Sequence, residues 1–226
     1  MRAMILAAGR GERLRPITDT LPKPLVQVRG KPLIAYHLEK LSACGVREVV
    51  INVSHLGGKI EAALGNGSAW NLDIAWSREQ VPLETAGGIA RARVLLGEEP
   101  FALVNADVYC DWDFAGFRDL ARRVQSNRTM GHLVLVPNPE FRPQGDFSLQ
   151  GDQVGNAPAP RYTYSGIAVL RTAMVDEVQD GQAAPLAPLL RAAAAAGQLT
   201  GELHAGAWSD VGNHERLAAL NSDWTP

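Results

Sequence analysis

Apolar segments of strand length alternate with amphipathic segments of helical length from residue 4 to residue 136, and this alternation limits the possible folds more than any other feature. Strands that are apolar along their whole length are buried on both faces, as in a parallel sheet covered by helices. The sequence therefore predicts an α/β fold of Rossmann-like type, with three α/β/α layers and a mostly parallel central sheet. Strands are predicted over 4–8, 48–53, 72–77, 101–105 and 132–136, and helices over 32–43, 59–64, 85–96 and 114–124.

The pattern changes after residue 136, where turn residues separate the extended segments. We expect this part to form a smaller β-rich lobe on the same core, because no linker long enough to separate two domains is present. A single domain over 1–226 is predicted, with a first part to about residue 130, a lobe over about 131–205 and a closing strand and helix over 206–226. The predicted elements are a hairpin over 146–154, a strand over 162–170, a helix over 186–196, an extended segment over 201–208 and a helix over 214–220.

Composition excludes several classes of function. The chain carries 22 basic and 24 acidic residues, so no basic field of the kind that binds nucleic acid is expected. Cys44 and Cys110 are too few and too far apart for a disulfide framework or a zinc site, and we expect two reduced thiols. The apolar run over 3–8 is too short for a signal peptide or a membrane span. A cytoplasmic protein without a membrane partner is therefore expected, either a monomer or a homodimer.

A glycine-containing loop follows the first predicted strand, with the sequence Leu-Ala-Ala-Gly-Arg-Gly-Glu-Arg-Leu-Arg-Pro over residues 6–16. Gly9 and Gly11 let the backbone approach a ligand closely, and bare amides at such a turn can hold phosphate oxygens. Arg13 and Arg15 add guanidinium groups, whose geometry suits phosphate. Lys23 lies between two prolines, which stiffen the backbone and aim the ammonium group. The sequence therefore predicts a phosphate-binding loop.

This loop differs from the two common nucleotide-binding loops. It lacks the Gly-Lys-Ser/Thr of a Walker loop, and it has Arg13-Leu14 where a dinucleotide-binding fold has its third glycine. A nicotinamide-dependent oxidoreductase is therefore a distant alternative. The plain alternative is a surface loop whose arginines are only solvated.

Two aspartates lie where separate predicted strands end. Asp107 follows the apolar strand 101–105, and Asp210 follows the extended segment 201–208. The ends of central strands are where α/β proteins bind ligands. Mg²⁺ takes few protein oxygens and completes its shell with water and phosphate, so two carboxylates suit it. Each aspartate could instead cap the next helix or turn.

Together these motifs resemble those of the sugar-1-phosphate nucleotidyltransferases, the nucleotidyl transferase family that makes nucleotide sugars. Residues 6–18 and 22–24 match its pattern L-A-A-G-x-G-x-R-L-x-P-x-T followed by P-K-P. Residues 83–88 resemble its base- and ribose-side segment. Residues 105–107 and 208–212 resemble its two metal-ligand motifs, although Ala106 stands where glycine is usual. The likeness runs from the first strand to the last helix and implies the nucleotide-diphospho-sugar transferase fold.

Within the family, the likeness is strongest to the short uridylyltransferases of N-acetylmuramate α-1-phosphate. The runs 145–147 and 164–167 also look like that subgroup. The resemblance favours UTP and N-acetylmuramate α-1-phosphate as substrates. Other pairs stay open: UTP or dTTP with glucose 1-phosphate, GTP with mannose 1-phosphate, and CTP with phosphocholine. A different class also stays open, a catalytically silent sensor of nucleotide sugars, although the main site residues are all present.

The resemblance implies transfer of a nucleotidyl group to a sugar 1-phosphate, with release of pyrophosphate. Arg13, Lys23, Asp107 and Asp210 are the expected catalytic residues, and Asp107 and Asp210 are the expected Mg²⁺ ligands. The part to about residue 130 would then bind the nucleotide, and the lobe over 131–205 would bind the sugar. The residues expected to bind the nucleotide are Leu6, Ala7, Ala8, Gly9, Gly11, Arg13, Lys23, Gln80, Gly87 and Asn105, and those expected to bind the sugar are Glu84, Thr85, Asp146, Ser165 and Gly166.

Overall fold

The computed structural model describes residues 1–158 and 160–222. Its strands are β1 (Ala3–Leu6), β2 (Gln27–Val28), β3 (Lys31–Pro32), β4 (Glu48–Val53), β5 (Asp73–Arg78), β6 (Phe101–Asn105), β7 (Val108–Cys110), β8 (Gly131–Val136), β9 (Phe147–Gln150), β10 (Gln153–Gly155), β11 (Arg161–Leu170), β12 (Leu199–Leu203) and β13 (Trp208–Asp210). Its α-helices are α1 (Ile17–Thr20), α2 (Leu33–Ala43), α3 (Gly57–Leu64), α4 (Glu84–Leu96), α5 (Phe117–Asn127), α6 (Leu186–Ala195) and α7 (His214–Ser222). Single 3₁₀ turns cover Glu12–Leu14, Lys23–Leu25, Ser68–Trp70, Phe114–Gly116 and Thr172–Val175.

The central sheet has nine strands within the described residues, in the order β5-β4-β1-β6-β11-β8-β12-β10-β9. The strands β5, β4, β1 and β6 pair in parallel, whereas β11 runs antiparallel to both of its neighbours, β6 and β8. The strand β12 then pairs in parallel with β8, and β10 and β9 add an antiparallel hairpin at the edge. Among the described strands of this sheet, only β11 and β10 oppose the common direction, which confirms the mostly parallel sheet.

Each face of the sheet carries its own apolar core. One core joins alternate β1 and β4 residues such as Ile5 and Ile51 to helical residues such as Leu38, Ile60 and Leu120 of α2, α3 and α5. The other joins intervening strand residues to α4 and α6. Because successive strand side chains point to opposite faces, a continuous apolar run such as 3–6 supplies both cores at once. The three-layer α/β/α arrangement follows and is confirmed.

The closing segment folds back onto the start of the chain. A small third core contains Leu14, Val28, Leu33, Val211 and Leu220, all buried. It packs the glycine-containing loop and α2 against the segment after β13 and against α7. In the described part of the chain, no helix has both the length and the apolar character that crossing a membrane requires.

The structure corrects two of the predicted strands. The first ends at Leu6 rather than at residue 8, because the Ala7 N–H donates to the Asn52 side chain instead of continuing a strand ladder. The extended segment predicted over 201–208 divides into β12, which lies in the central sheet, and β13, which pairs antiparallel with β7. The strand β7 has only three residues and was not predicted.

Candidate active site

A cleft of about 330 Å³ opens at the carboxyl ends of β1, β4 and β6. This is the edge at which α/β sheets bind ligands, and the volume falls within the range of small-molecule sites. Both of its walls contain residues predicted from the sequence. The residues that line it are Leu6, Ala7, Ala8, Gly9, Lys23, Pro24, Asn52, Pro82, Glu84, Thr85, Asn105, Ala106 and Asp107.

The loop after β1 presents bare backbone to this cleft. Gly9 is exposed, and a Cβ atom built there would meet no atom within 4 Å. Gly11 has a φ of 65°, in the left-handed region, and a Cβ there would lie 2.9 Å from Thr18 and 3.2 Å from Lys23. The Thr18 hydroxyl donates to the Gly11 carbonyl oxygen at 2.8 Å. Glycine is therefore required at position 11, because the loop turns tightly over α1 and Lys23.

Lys23 is the one predicted cation that lies deep in the cleft wall. Its side chain is buried, and its Nζ atom lies 2.6 Å from the Asp107 carboxylate. The turn Lys23–Leu25 and the flanking prolines fix this position. Arg13 differs, because it is exposed on the turn Glu12–Leu14 and does not line the cleft. The ammonium group is thus fixed beside a carboxylate, and the guanidinium group faces solvent.

The short ladder between β7 and β13 brings the backbones of the two predicted metal ligands together. Asp210 pairs with Val108 across the ladder, and the Val211 N–H donates to the Asp107 carbonyl oxygen at 2.8 Å. The two aspartates, 103 positions apart in sequence by their numbers, are therefore backbone neighbours. Each carboxylate contacts one cationic side chain, Lys23 for Asp107 and Arg216 for Asp210.

This donor set fits a hard divalent cation. Both ligand groups are carboxylates, which Mg²⁺ prefers, and their side chains keep 40% and 23% of their surface exposed. Partial exposure leaves room for the water and phosphate oxygens that complete such a coordination shell. The contacts of Asp107 and Asp210 with cationic groups also show that positive charge is already favoured at these two positions.

Asn52 and Glu79 form a buried support that was not predicted from the sequence. The Asn52 side-chain oxygen accepts the Ala7 N–H at 2.8 Å, and its amide donates to Glu79 at 2.7 Å. The second Glu79 oxygen accepts the Leu83 N–H at 2.9 Å. A Cβ on Gly88 would lie 2.8 Å from the Asn52 amide nitrogen and 2.9 Å from a Glu79 carboxyl oxygen. These bonds connect the phosphate-binding loop to the start of α4.

Four predicted nucleotide contacts do not line the cleft: Gly11 and Arg13, described above, and Gly87 and Gln80. Gly87 packs against the segment 182–184: its N–H donates to the Ala184 carbonyl oxygen, and a Cβ there would lie 2.3 Å from the Gln182 oxygen. Its role in the structure is close packing of α4. Gln80 is exposed and also does not line the cleft. Asn105, in contrast, lines the cleft at the end of β6.

A second cleft of about 400 Å³ adjoins the first and shares Glu84, Thr85 and Asn105 with it. Its far side carries Asp146 and the N-terminal part of α6. The structure thus brings three of the five predicted sugar-binding residues, Glu84, Thr85 and Asp146, to one cavity. The remaining lining residues are Arg142, Phe147, Tyr164, Pro185, Leu186, Ala187, Leu190 and Arg191.

Ser165 and Gly166 lie in the sheet behind this cleft. The Ser165 side chain is fully buried, where its hydroxyl donates to the Val134 carbonyl oxygen at 2.7 Å and accepts the Ile167 N–H. Gly166 has a φ of 83°, and a Cβ there would lie 2.7 Å from Asn105. The register of β11 against β8 shifts at this point. These two residues form a bulge that supports Asn105 from behind.

Comparison with known proteins agrees with this geometry. The nucleotidyl transferase family model matches residues 2–145. The N-acetylmuramate α-1-phosphate uridylyltransferase of Neisseria meningitidis is 48% identical, over 99% of this chain and 100% of its own length. The enzyme of the same name from Caulobacter vibrioides is 35% identical, over 96% and 94%.

The solved structures show the same fold. A Bacillus anthracis protein, assigned as a glucose-1-phosphate thymidylyltransferase and crystallised with sucrose, superposes with a TM-score of 0.86 at 19% identity, over 98% of this chain and 94% of its own. The fold is therefore that of the nucleotide-diphospho-sugar transferases. With a matching family model over more than half of its length and a near full-length relative, the chain belongs to the nucleotidyl transferase family.

Proposed function

We propose that this protein transfers a uridylyl group from UTP to N-acetylmuramate α-1-phosphate and releases pyrophosphate. The observation that carries this proposal is the 48% identity, over nearly the whole of both chains, with a uridylyltransferase of that sugar phosphate. The two adjoining clefts support it, since one is lined by the phosphate-binding loop and the other by polar side chains suited to a sugar.

The reaction needs alignment and charge compensation rather than a protein nucleophile. An oxygen of the sugar phosphate is already anionic and attacks the α-phosphorus; the bond from that phosphorus to the bridging oxygen of the β-phosphate breaks, and pyrophosphate leaves. The barrier is the approach of two anions, so positioning and electrostatics supply most of the catalysis. In this proposal the loop amides at Gly9 and Gly11 hold the departing phosphates. Lys23, which lines the cleft, neutralises charge on the α-phosphoryl group.

We further propose Mg²⁺ as the cation held by Asp107 and Asp210. When bound, such an ion supplies Lewis-acid stabilisation of the phosphoryl oxygens. The Asp107 and Asp210 side chains are paired with Lys23 and Arg216, and a bound cation would replace these two side chains as the partner of the carboxylates. A cytoplasmic location, in cell-wall recycling, fits two thiols that form no disulfide.

Pyrophosphate release from a panel of substrates tests the activity directly. UTP, dTTP, GTP and CTP are each combined with N-acetylmuramate 1-phosphate, glucose 1-phosphate, mannose 1-phosphate and phosphocholine, and kcat/KM is compared. The proposal expects the highest value for UTP with N-acetylmuramate 1-phosphate. A higher value for another pair would refute the substrate assignment, and pyrophosphate release with none of them would refute the activity.

Two substitutions test the residue roles. Lys23→Ala should lower turnover by about a hundredfold or more, because one preorganised donor at the reacting group is lost. Lys31→Ala is the matched control, since Lys31 is a partly exposed lysine paired with Glu39. Asp107→Asn should raise the Mg²⁺ concentration needed for half-maximal activity. Normal turnover in Lys23→Ala, or an unchanged Mg²⁺ titration in Asp107→Asn, would contradict these roles.

A further inference from the structure

The far wall of the second cleft carries a cation that the proposed reaction does not use. This wall is formed by α6, where Leu186 and Leu190 are buried and Arg191 is exposed at the rim. The near wall, shared with the nucleotide cleft, carries Glu84 and Thr85. Because the two clefts adjoin, a sugar whose phosphate lies in the first cleft has room to extend between these two walls.

The other charged groups on the far side of this cleft are already compensated. Arg142 binds both Asp146 oxygens, at 3.0 Å and 2.9 Å, and one of those oxygens also accepts the Tyr164 N–H at 2.9 Å. The Arg191 side chain, in contrast, has no hydrogen bond or ion pair with any described residue. Glu84 lies at the boundary of the two clefts rather than on α6. Arg191 is thus the uncompensated cation of the α6 wall.

We propose that Arg191 binds a carboxylate carried by the sugar, so that this cleft selects acidic sugar 1-phosphates over neutral ones. The inference rests on the proposed function and deepens it. A guanidinium group binds a carboxylate through two parallel hydrogen bonds, and the apolar residues Leu186 and Leu190 line the same cleft as Arg191. N-acetylmuramate differs from N-acetylglucosamine by a lactyl ether that ends in a carboxylate, so these two sugars form a matched pair of probes.

The experiment compares kcat/KM for N-acetylmuramate 1-phosphate and N-acetylglucosamine 1-phosphate, each with UTP. In the wild-type enzyme the acidic sugar should be preferred. Arg191→Ala should lower kcat/KM for the acidic sugar by about tenfold or more, because a charge-assisted hydrogen bond is lost. The kcat/KM for the neutral sugar should stay nearly unchanged. Arg191→Glu should reverse the preference. Arg123→Ala, at another exposed arginine with no side-chain bond to any described residue, is the control and should leave the ratio unchanged.

Results that overturn this inference differ from those that overturn the proposed function. Equal use of both sugars by the wild-type enzyme, or an unchanged ratio in Arg191→Ala, leaves uridylyl transfer intact and refutes the carboxylate site. Calorimetric binding of UDP-N-acetylmuramate and UDP-N-acetylglucosamine to the wild-type protein gives a second measurement that needs neither turnover nor a variant. If no pyrophosphate is released with either sugar, the proposed function fails, and equal binding of the two nucleotide sugars then refutes the carboxylate site.

Discussion

The Asn52 side chain connects three segments of the chain, and its removal should therefore weaken the fold and the nucleotide cleft together. It is 2% exposed, accepts the Ala7 N–H at 2.8 Å and donates to Glu79 at 2.7 Å. Asn52→Leu keeps a similar volume but makes neither bond. Glu79 would keep only its contact with the Leu83 N–H.

The size of the effect follows from the groups left unpaired. A buried N–H without a partner costs about 1–3 kcal/mol, and the lost bond to the charged Glu79 contributed about 1.5–3 kcal/mol. Because the two losses share one side chain, we expect a total of about 3–5 kcal/mol rather than a strict sum. Typical stabilities are about 5–15 kcal/mol, so the variant should fold but unfold at a much lower urea concentration.

Urea denaturation at neutral pH measures this loss, with Asn66→Ala as the control. Asn66 is exposed and its side chain accepts a single local bond from the Ser68 N–H, so its substitution should cost less than about 1 kcal/mol. The KM for UTP should rise in Asn52→Leu, because Ala7 lines the cleft and loses its support. A stability loss below about 1 kcal/mol in Asn52→Leu would show that this buried support does not stabilise the loop.

Three further changes test separate parts of the structure. Gly87→Ala places a Cβ 2.3 Å from a backbone oxygen and should cost about 2–4 kcal/mol by urea denaturation, whereas Gly58→Ala, a helical site with open space, should be neutral or slightly stabilising. Burial lowers the pKa of His37 from 6.5 to about 4. As the pH falls, this histidine is therefore protonated in the unfolded chain before it is protonated in the folded protein. The free energy of unfolding should decrease by about 3 kcal/mol as the pH drops from about 6.5 to about 4. His37→Gln should remove this pH dependence of the urea midpoint. Arg216→Met frees Asp210 from its ion pair and should tighten Mn²⁺ binding to the nucleotide-free protein by about fivefold in paramagnetic titration; weaker binding would show that the arginine is needed for the site instead.

Most helices and sheet strands were predictable because their patterns are local. The strand β4 is apolar on both faces and α2 has apolar residues at helical spacing, so burial alone indicates their type. The strand order was not predictable, and neither was the reversal of β11. Sheet neighbours are chosen by contacts between distant segments, such as Val104 with Ile167, which no window of sequence contains.

The site could be predicted only where several signals overlap. Lys23 and Asp107 follow from a proline-flanked lysine and a strand-end carboxylate, and the structure places them 2.6 Å apart. Asn52 was missed, although a polar residue inside an apolar strand signals a buried hydrogen-bonding role. Gly87 was expected to bind the nucleotide, but its N–H donates to the Ala184 carbonyl oxygen and the residue packs against 182–184. A glycine in sequence does not show whether its space is taken by a ligand or by another segment.

The charges around the two aspartates explain how such a site can be stable before any ligand binds. The backbones of Asp107 and Asp210 are adjacent, and each carboxylate is paired with a cationic side chain, Lys23 or Arg216. In the proposed mechanism Asp107 and Asp210 would hold the divalent cation, and Lys23 and Arg216 would then be free to pair with the anionic triphosphate. The positive charge is therefore exchanged rather than added. If only the cation or only the nucleotide bound, some of these charged groups would lose their partners. Binding of the cation and binding of the nucleotide should therefore favour each other. Such linkage is expected of a site that acts only when both are present.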